Sequence, residues 1–287
     1  MKKKPQSWQQ WSLIILGLTI ATFLLVLPLV LIFSRALSGG WDMLVQNLAD
    51  GDMRHAIMLT LLATGLTVPI NLVFGVCLAW CVTRYEFRGR KLLLTLIDIP
   101  YATSPVVAGL CYLTTYGLES TLGGWLSGHN VQLMFAWPGI VMVTVFVTSP
   151  YVARVLIPLM QTQGREEEHA ALTLGASGWQ IFRKVTLPNI RWALLYGTVI
   201  TNARAVGEFG AVLVVSGAIR GQTVTLPLLV EQLNDDYKTV AAFTAAALLA
   251  CMAMLTLLLK TVMEWRQAHK GTAMPSAERP AGAPATT

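Results

Sequence analysis

The chain has 287 residues, 54% of them hydrophobic and 13% charged. Soluble domains carry about 25% charged residues, and with a mean hydropathy of +0.58 the composition excludes the one or two soluble domains that the length alone would allow. The net charge is +6, but its meaning lies in where the charges sit, beside apolar runs, and no nucleic-acid partner is expected.

Apolar runs of about 18 residues or more read as membrane helices. Six are expected, at about 12–33, 57–83, 92–113, 137–159, 190–215 and 240–263. The first follows Lys2, Lys3 and Lys4, as a signal peptide would. Its apolar stretch is longer than the roughly 7–15 residues of a signal core, so it reads as an uncleaved anchor behind a short cytoplasmic segment, 1–11. The second span holds Cys77 and Cys81 on one helix face. With Cys111 and Cys251 these are the four cysteines, all in apolar runs and without further metal ligands nearby, so they read as small buried apolar residues.

The third span carries Asp98-Ile-Pro100 and Ser104-Pro105. Prolines interrupt the backbone ladder, and the freed carbonyls are tolerated at membrane depth only beside protein or water. Asp98 lies about 10 Å from the inner end at 1.5 Å per residue and can pair with a basic group of this subunit or a partner, a mainly structural role. In the fourth span Thr148-Ser149-Pro150 is expected to kink the helix.

Between the fourth and fifth spans lies a cytoplasmic loop, 160–189, with two short helices. The first is expected over about 165–174, with Glu166, Glu167 and Glu168 in the first turn, where the helix dipole favours acids, and Gly175 ending it. The second starts at Ser177, with Gln180 three residues on, a capping-box pattern. Trp179, Phe182 and Val185 give it one apolar face, and Pro188 suits the first turn of the next span. Such apolar-faced helices below a membrane need a surface to bury against, either the chain's own helix ends or a partner protein.

The fifth span is the most polar, with Asn202, Arg204 and Glu208 among Gly197, Gly207 and Gly210. Charges in hydrocarbon face the bundle or a cavity. Arg204 and Glu208 have i,i+4 spacing, so they can pair on one helix face, either as a structural ion pair or as a lining of a translocation path or its gate. The outer loops are about 34–56, 114–136 and 216–239. In the last, Leu226-Pro-Leu-Leu-Val230 either meets an outside partner or packs on the bundle. The tail 266–287 is rich in Ala, Pro, Gly and Thr and is expected to be disordered.

With a cytoplasmic N-terminus, the inner segments hold 15 Lys and Arg and the outer segments four, while Arg154 and Arg204 fall within spans. This bias places both termini in the cytoplasm. Trp8, Trp11, Trp137 and Trp265 sit near span ends, as interfacial anchors do.

The loop resembles the "EAA" loop of ABC importer permeases. Ala170, Ala171, Leu174, Gly175, Ala176, Phe182, Val185, Leu187 and Pro188 match, while His169 stands at the usual Glu position with Glu168 just before it. The resemblance implies an all-α integral membrane protein of six transmembrane helices over 12–265. It has the type I ABC importer permease architecture, with the loop as a coupling helix docking on an ATP-hydrolysing subunit. The chain has no G-x-x-x-x-G-K-[ST] phosphate loop of its own, so the ATPase must be another chain and this subunit is non-catalytic. The stretches Asn202 to Ala211 and Leu96 to Gly109, which includes Asp98 and Ser104, resemble sulfate and molybdate permeases. Leu48 to Asp52, Leu122 to Trp125 and Gly175 to Leu195 are similar to the W-type permeases of bacterial sulfate/thiosulfate importers.

That similarity implies a multi-pass subunit of the bacterial inner membrane. Its partners are a homologous T-type permease, two ATPase subunits, a periplasmic sulfate-binding protein and membrane lipid. No cofactor is expected on this chain, with ATP and magnesium held by the ATPase. Two other classes fit the sequence less well. A secondary transporter would use Asp98, Arg204 and Glu208 as ion-coupling sites, but the paired repeats common there are not visible. A membrane enzyme is disfavoured because His55, His129, His169 and His269 lie in separate segments and form no reactive constellation.

Overall fold

The computed structural model describes residues 8–271, and those residues form helices and connecting turns with no strand. The chain opens with α1 (Trp8–Ala21), which runs through a π-helical turn at Thr22–Val26 into α2 (Leu27–Ala36). After α3 (Gly40–Ala49) comes α4 (Gly51–Arg84), started by the Asp50 side chain accepting from the amides of Asp52 and Met53. The cap lies seven residues ahead of the expected start of the second span, at about 57. Next come α5 (Arg90–Ala102), α6 (Pro105–Tyr116), α7 (Thr121–Gly128), α8 (Trp137–Thr148) and α9 (Pro150–Gln163). Below them are α10 (Glu166–Thr173) and α11 (Gly178–Ile181), and a second π-helical turn at Phe182–Thr186 leads into α12 (Leu187–Val206). The chain finishes with α13 (Gly210–Ser216), α14 (Leu226–Asp235) and α15 (Thr239–Gly271).

Four helices are long and apolar enough to cross a membrane: Trp11–Ala36, Gly51–Arg84, Trp137–Gln163 and Thr239–Val262. They are the expected first, second, fourth and sixth spans. The third and fifth are not straight. Arg90–Ala102 and Pro105–Tyr116 meet at 106°, and Gly178–Val206 and Gly210–Ser216 at 55°. Pro105 causes the first bend: the residue before a proline is excluded from the helical region, and Ser104 accordingly sits at ψ 135°. In the fifth span the helix ends at Val206, and the Glu208 carboxylate accepts the amide of Ala211 to start α13. Arg204 and Glu208 therefore face each other across a break rather than along one continuous helix.

Two other expectations are corrected. The second helix of the loop is not separate from the fifth span, because the π-helical turn carries it straight into α12 and Pro188 falls inside a continuous rod. The last helix continues to Gly271, beyond the expected start of the disordered tail at 266; residues 272–287 lie outside the described residues.

Small residues let the spans approach, as packing in lipid demands. A methyl group at Gly75 of α4 would lie 2.6 Å from Val152 of α9, and one at Gly109 of α6 would lie 2.8 Å from the Ala211 carbonyl of α13. The half of the bundle nearer α10 is held by Ala79, Val152, Leu156, Met160 and Ile190. The opposite half is larger and joins α4, α8, α13, α14 and α15 through residues such as Leu59, Ile140, Val212, Leu228 and Ala245. Between them Asn71 donates to Thr148 across a buried 2.6 Å contact. The segment from Leu226 packs on the bundle: Leu226, Leu228 and Leu229 are buried, and the Leu226 amide donates to Thr60.

The first span is different. Every residue from Trp11 to Pro28 is exposed, and only its outer end reaches α15. Cys77, Cys111 and Cys251 are also exposed and Cys81 partly so, all four as free thiols. The expectation that they are buried fails because an apolar side chain in a span is equally at home facing lipid.

Candidate coupling surface and translocation path

The EAA-like segment is built as a rigid foot. α10 begins with the three glutamates in its first turn and ends in a two-bond cap: the amide of Ala176 donates to the Ala171 carbonyl at 3.1 Å and that of Gly175 to Leu172 at 3.0 Å. Gly175 has φ +80°, and an added Cβ would meet nothing within 4 Å. Its requirement is therefore conformational, the left-handed backbone that glycine alone adopts freely. Ser177 and Gln180 form both halves of the expected capping box.

The foot is tied upward to three spans. Nη2 of Arg84, the last residue of α4, donates to Glu168 Oε1 at 2.8 Å, and its Nε lies 2.8 Å from Oε2; the two side chains are 10% and 16% exposed. Thr186 donates to the same carboxylate at 2.7 Å. Arg84 also reaches the Met160 carbonyl of α9, and Arg165 reaches the Thr83 carbonyl of α4. Asn189 of α12 donates to Glu167. Phe182 is half-buried between Trp80, at a ring distance of 4.9 Å, and Trp179, at 5.5 Å. Leu187 is half-buried and Pro188 exposed.

Downward the foot is bare. Leu174 is 89% exposed, Trp179 69% and Leu172 58%, with His169 and Ala170 exposed beside them and Ala171 and Ala176 half-buried. The two candidate surfaces for this element thus divide: the chain's own helix ends take Glu168 and Phe182, and the leucines remain free. The same division holds at 168 and 169. The carboxylate that locks the helix to the bundle is Glu168, while the His169 ring faces outward.

Of the candidate path residues, Arg204, Glu208 and Asp98 are held in two ion pairs. Arg204 Nη1 lies 2.6 Å from Glu208 Oε2, with Glu208 2% and Arg204 30% exposed. Glu208 is thus both counter-ion and cap of α13, and Asn202 is half-buried, half a turn before Arg204. Asp98 pairs with Arg154, whose Nε and Nη2 both donate to Oδ1 at 3.0 and 2.8 Å. Ser104 is exposed at the bend of the third span and makes no capping bond. Arg154 was not singled out from the sequence, although a charge inside a span is itself the signal. No ion pair or hydrogen bond joins the two pairs among the described residues, and no three potential metal ligands cluster there.

The family model described as "Binding-protein-dependent transport system inner membrane component" matches residues 71–269. The sulfate transport system permease protein CysW of Escherichia coli is 60% identical over 263 residues, covering 92% of this chain and 90% of that protein. The Synechocystis protein of the same name is 47% identical over 91% of this chain and 94% of its own. The Escherichia coli sulfate transport system permease protein CysT is 33% identical over 83% and 87%. Among solved structures, a chain of a bacterial alginate ABC transporter in complex with its pentasaccharide-bound periplasmic protein superposes with a TM-score of 0.75, covering 90% of this chain and 94% of that one at 17% identity, a likeness of fold.

Proposed function

Because this chain belongs to the family of binding-protein-dependent transport system inner membrane components, we propose that it is the W-type permease subunit of an ATP-driven sulfate/thiosulfate importer. The observation that carries this is the 60% identity to a sulfate permease over nearly the whole of both chains. A related oxyanion such as molybdate is the second reading, favoured only by the similarity of the third and fifth spans, Leu96 to Gly109 and Asn202 to Ala211, to molybdate permeases.

In this reading the chain forms one half of a pore with a T-type permease, related here by the 33% identity to CysT. A periplasmic sulfate-binding protein delivers the anion, and two ATPase subunits sit below. The subunit is multi-pass in the inner membrane with both ends cytoplasmic, which the 15-to-four distribution of Lys and Arg supports. It binds no cofactor; ATP and magnesium belong to the ATPase.

Leu172, Leu174 and Trp179 form the face that docks on the ATPase, since apolar side chains this exposed outside the membrane call for a partner. His169 and Ala170 lie beside that face, and Glu168, Ala171, Gly175, Ala176, Phe182, Leu187 and Pro188 hold it in position. Closure of the ATPases pushes the foot, and Glu168 transmits the push to α4 through Arg84 and to the fifth span through Thr186. Arg204, Glu208, Asn202, Asp98 and Ser104 line the path or its gate, with Arg204 masked by Glu208 until the break at Gly207 moves.

The test is uptake of radiolabelled sulfate in a bacterium lacking its own W-type permease. This chain, expressed with the matching partner subunits, restores uptake that stops on ATP depletion. Uptake surviving ATP depletion would turn the assignment toward a secondary transporter.

A further inference from the structure

Arg154 lies nine residues before Gln163, the end of α9, and Asp98 eight residues after Arg90, the start of α5. At 1.5 Å per residue both are about 12–14 Å from the inner helix ends, within a hydrocarbon layer about 30 Å thick. Yet their side chains are 43% and 54% exposed. Lipid is a poor neighbour for them, because a charge at depth costs about 2.5–3.5 kcal/mol even on the lenient scale. The surroundings are polar as well. The guanidinium sits 4.1 Å over the Tyr101 ring, which meets Tyr151 edge-on at 6.2 Å. Two residues beyond Tyr101 the helix breaks at Thr103 and Ser104, and non-helical backbone at this depth is tolerated only beside protein or water. Nη1 of Arg154 has no hydrogen-bond partner among the described residues.

We propose that Arg154, held by Asp98 and Tyr101, is an inner anion station on the translocation path. It takes a divalent tetrahedral oxyanion through Nη1 and the neighbouring tyrosine hydroxyls. The proposal rests on the reading of the chain as a sulfate permease and adds to it a residue and an order of events. Arg204 stands 17 residues after Leu187, about 25 Å up its helix, so the anion meets the Arg204–Glu208 pair first and Arg154 second. Asp98 makes the site a station rather than a trap. A bare guanidinium in a low dielectric would hold a dianion too firmly, whereas a path needs sites that favour entry and still release. The Tyr101 ring fixes the guanidinium plane, so the unpaired edge is presented without a search over rotamers.

The experiment uses the whole importer in proteoliposomes, with radiolabelled sulfate uptake and ATP hydrolysis followed together. Arg154→Gln is expected to lower uptake about tenfold or more at saturating binding protein, the loss of one charge-assisted contact, while the complex still copurifies and hydrolyses ATP. Arg154→Lys recovers part of the uptake. Asp98→Asn, which removes the masking charge, gives the opposite fault: uptake becomes self-inhibited as sulfate rises. Wild-type uptake by Arg154→Gln would overturn the proposal. So would an Arg154→Gln complex that no longer holds the second permease while Asp98→Asn shows no inhibition by sulfate, since the pair would then be an interface contact. A wild-type importer that moves no sulfate would instead sink the functional reading, and the proposal with it, before any variant is compared.

Discussion

Glu168 carries the most structure of any single residue in the foot, receiving Arg84 and Thr186 on one carboxylate. Removing it leaves a 10%-exposed guanidinium without its counter-charge. In a thermodynamic cycle of Glu168→Ala, Arg84→Ala and the double variant, the double change should cost about 1–3 kcal/mol less than the sum of the singles. Thermal unfolding of the purified complex reads this, and strictly additive losses would show that the two do not act together. Gly175 gives a cleaner contrast. Gly175→Val forces a β-branched side chain into φ +80° at a cost of about 1–2 kcal/mol, whereas Gly175→Asn tolerates that backbone. Uptake should fall for Val and be largely kept for Asn. The turn chemistry here was legible in the sequence, since caps are local: Ser177, Gln180 and Gly175 declare themselves within a few positions. The partner of Glu168 was not, because Arg84 lies 84 positions away and ordinary helix-end arginines look the same.

At the scale of elements, the positions of the spans followed from hydropathy and their shapes did not. Pro105 pointed to an interruption in the third span, but a kink and a 106° turn have the same local sequence. The difference lies in what receives the second half, here α13, brought close by Gly109. The fifth span hid its break for another reason: Glu208 reads as a buried charge, and only the geometry shows it capping α13. Packing within α4 offers a test with an internal control. Gly75→Val must push Val152 aside and should destabilise the bundle by about 1–3 kcal/mol or more. Gly65→Ala on the same helix meets nothing within 4 Å and should melt like the parent or slightly higher. Equal melting temperatures for the two variants would mean that the α4–α9 approach is not tight.

For the whole molecule, the topology has a direct readout. In a variant with the four native cysteines removed, Glu119→Cys should react with a membrane-impermeant maleimide in cells whose outer membrane alone is opened. Ser177→Cys should react only after the inner membrane is breached. Reversed labelling would invert the orientation drawn from the Lys and Arg distribution. The first span, exposed from Trp11 to Pro28 and the most apolar of the four continuous spans, has a consequence for how the protein is made. The helices that pack on one another carry threonines, glycines and an asparagine on their shared faces, each a debit against entering lipid alone. The first shares a face only through α2, against α15, and none of its polar residues is buried. It leaves the ribosome before any of its neighbours, so its entry into the bilayer is decided by partitioning alone. A charge placed near its middle, at Leu18, would therefore be felt during biosynthesis, as failed insertion and a disturbed topology, while leaving the packed core of the later spans untouched.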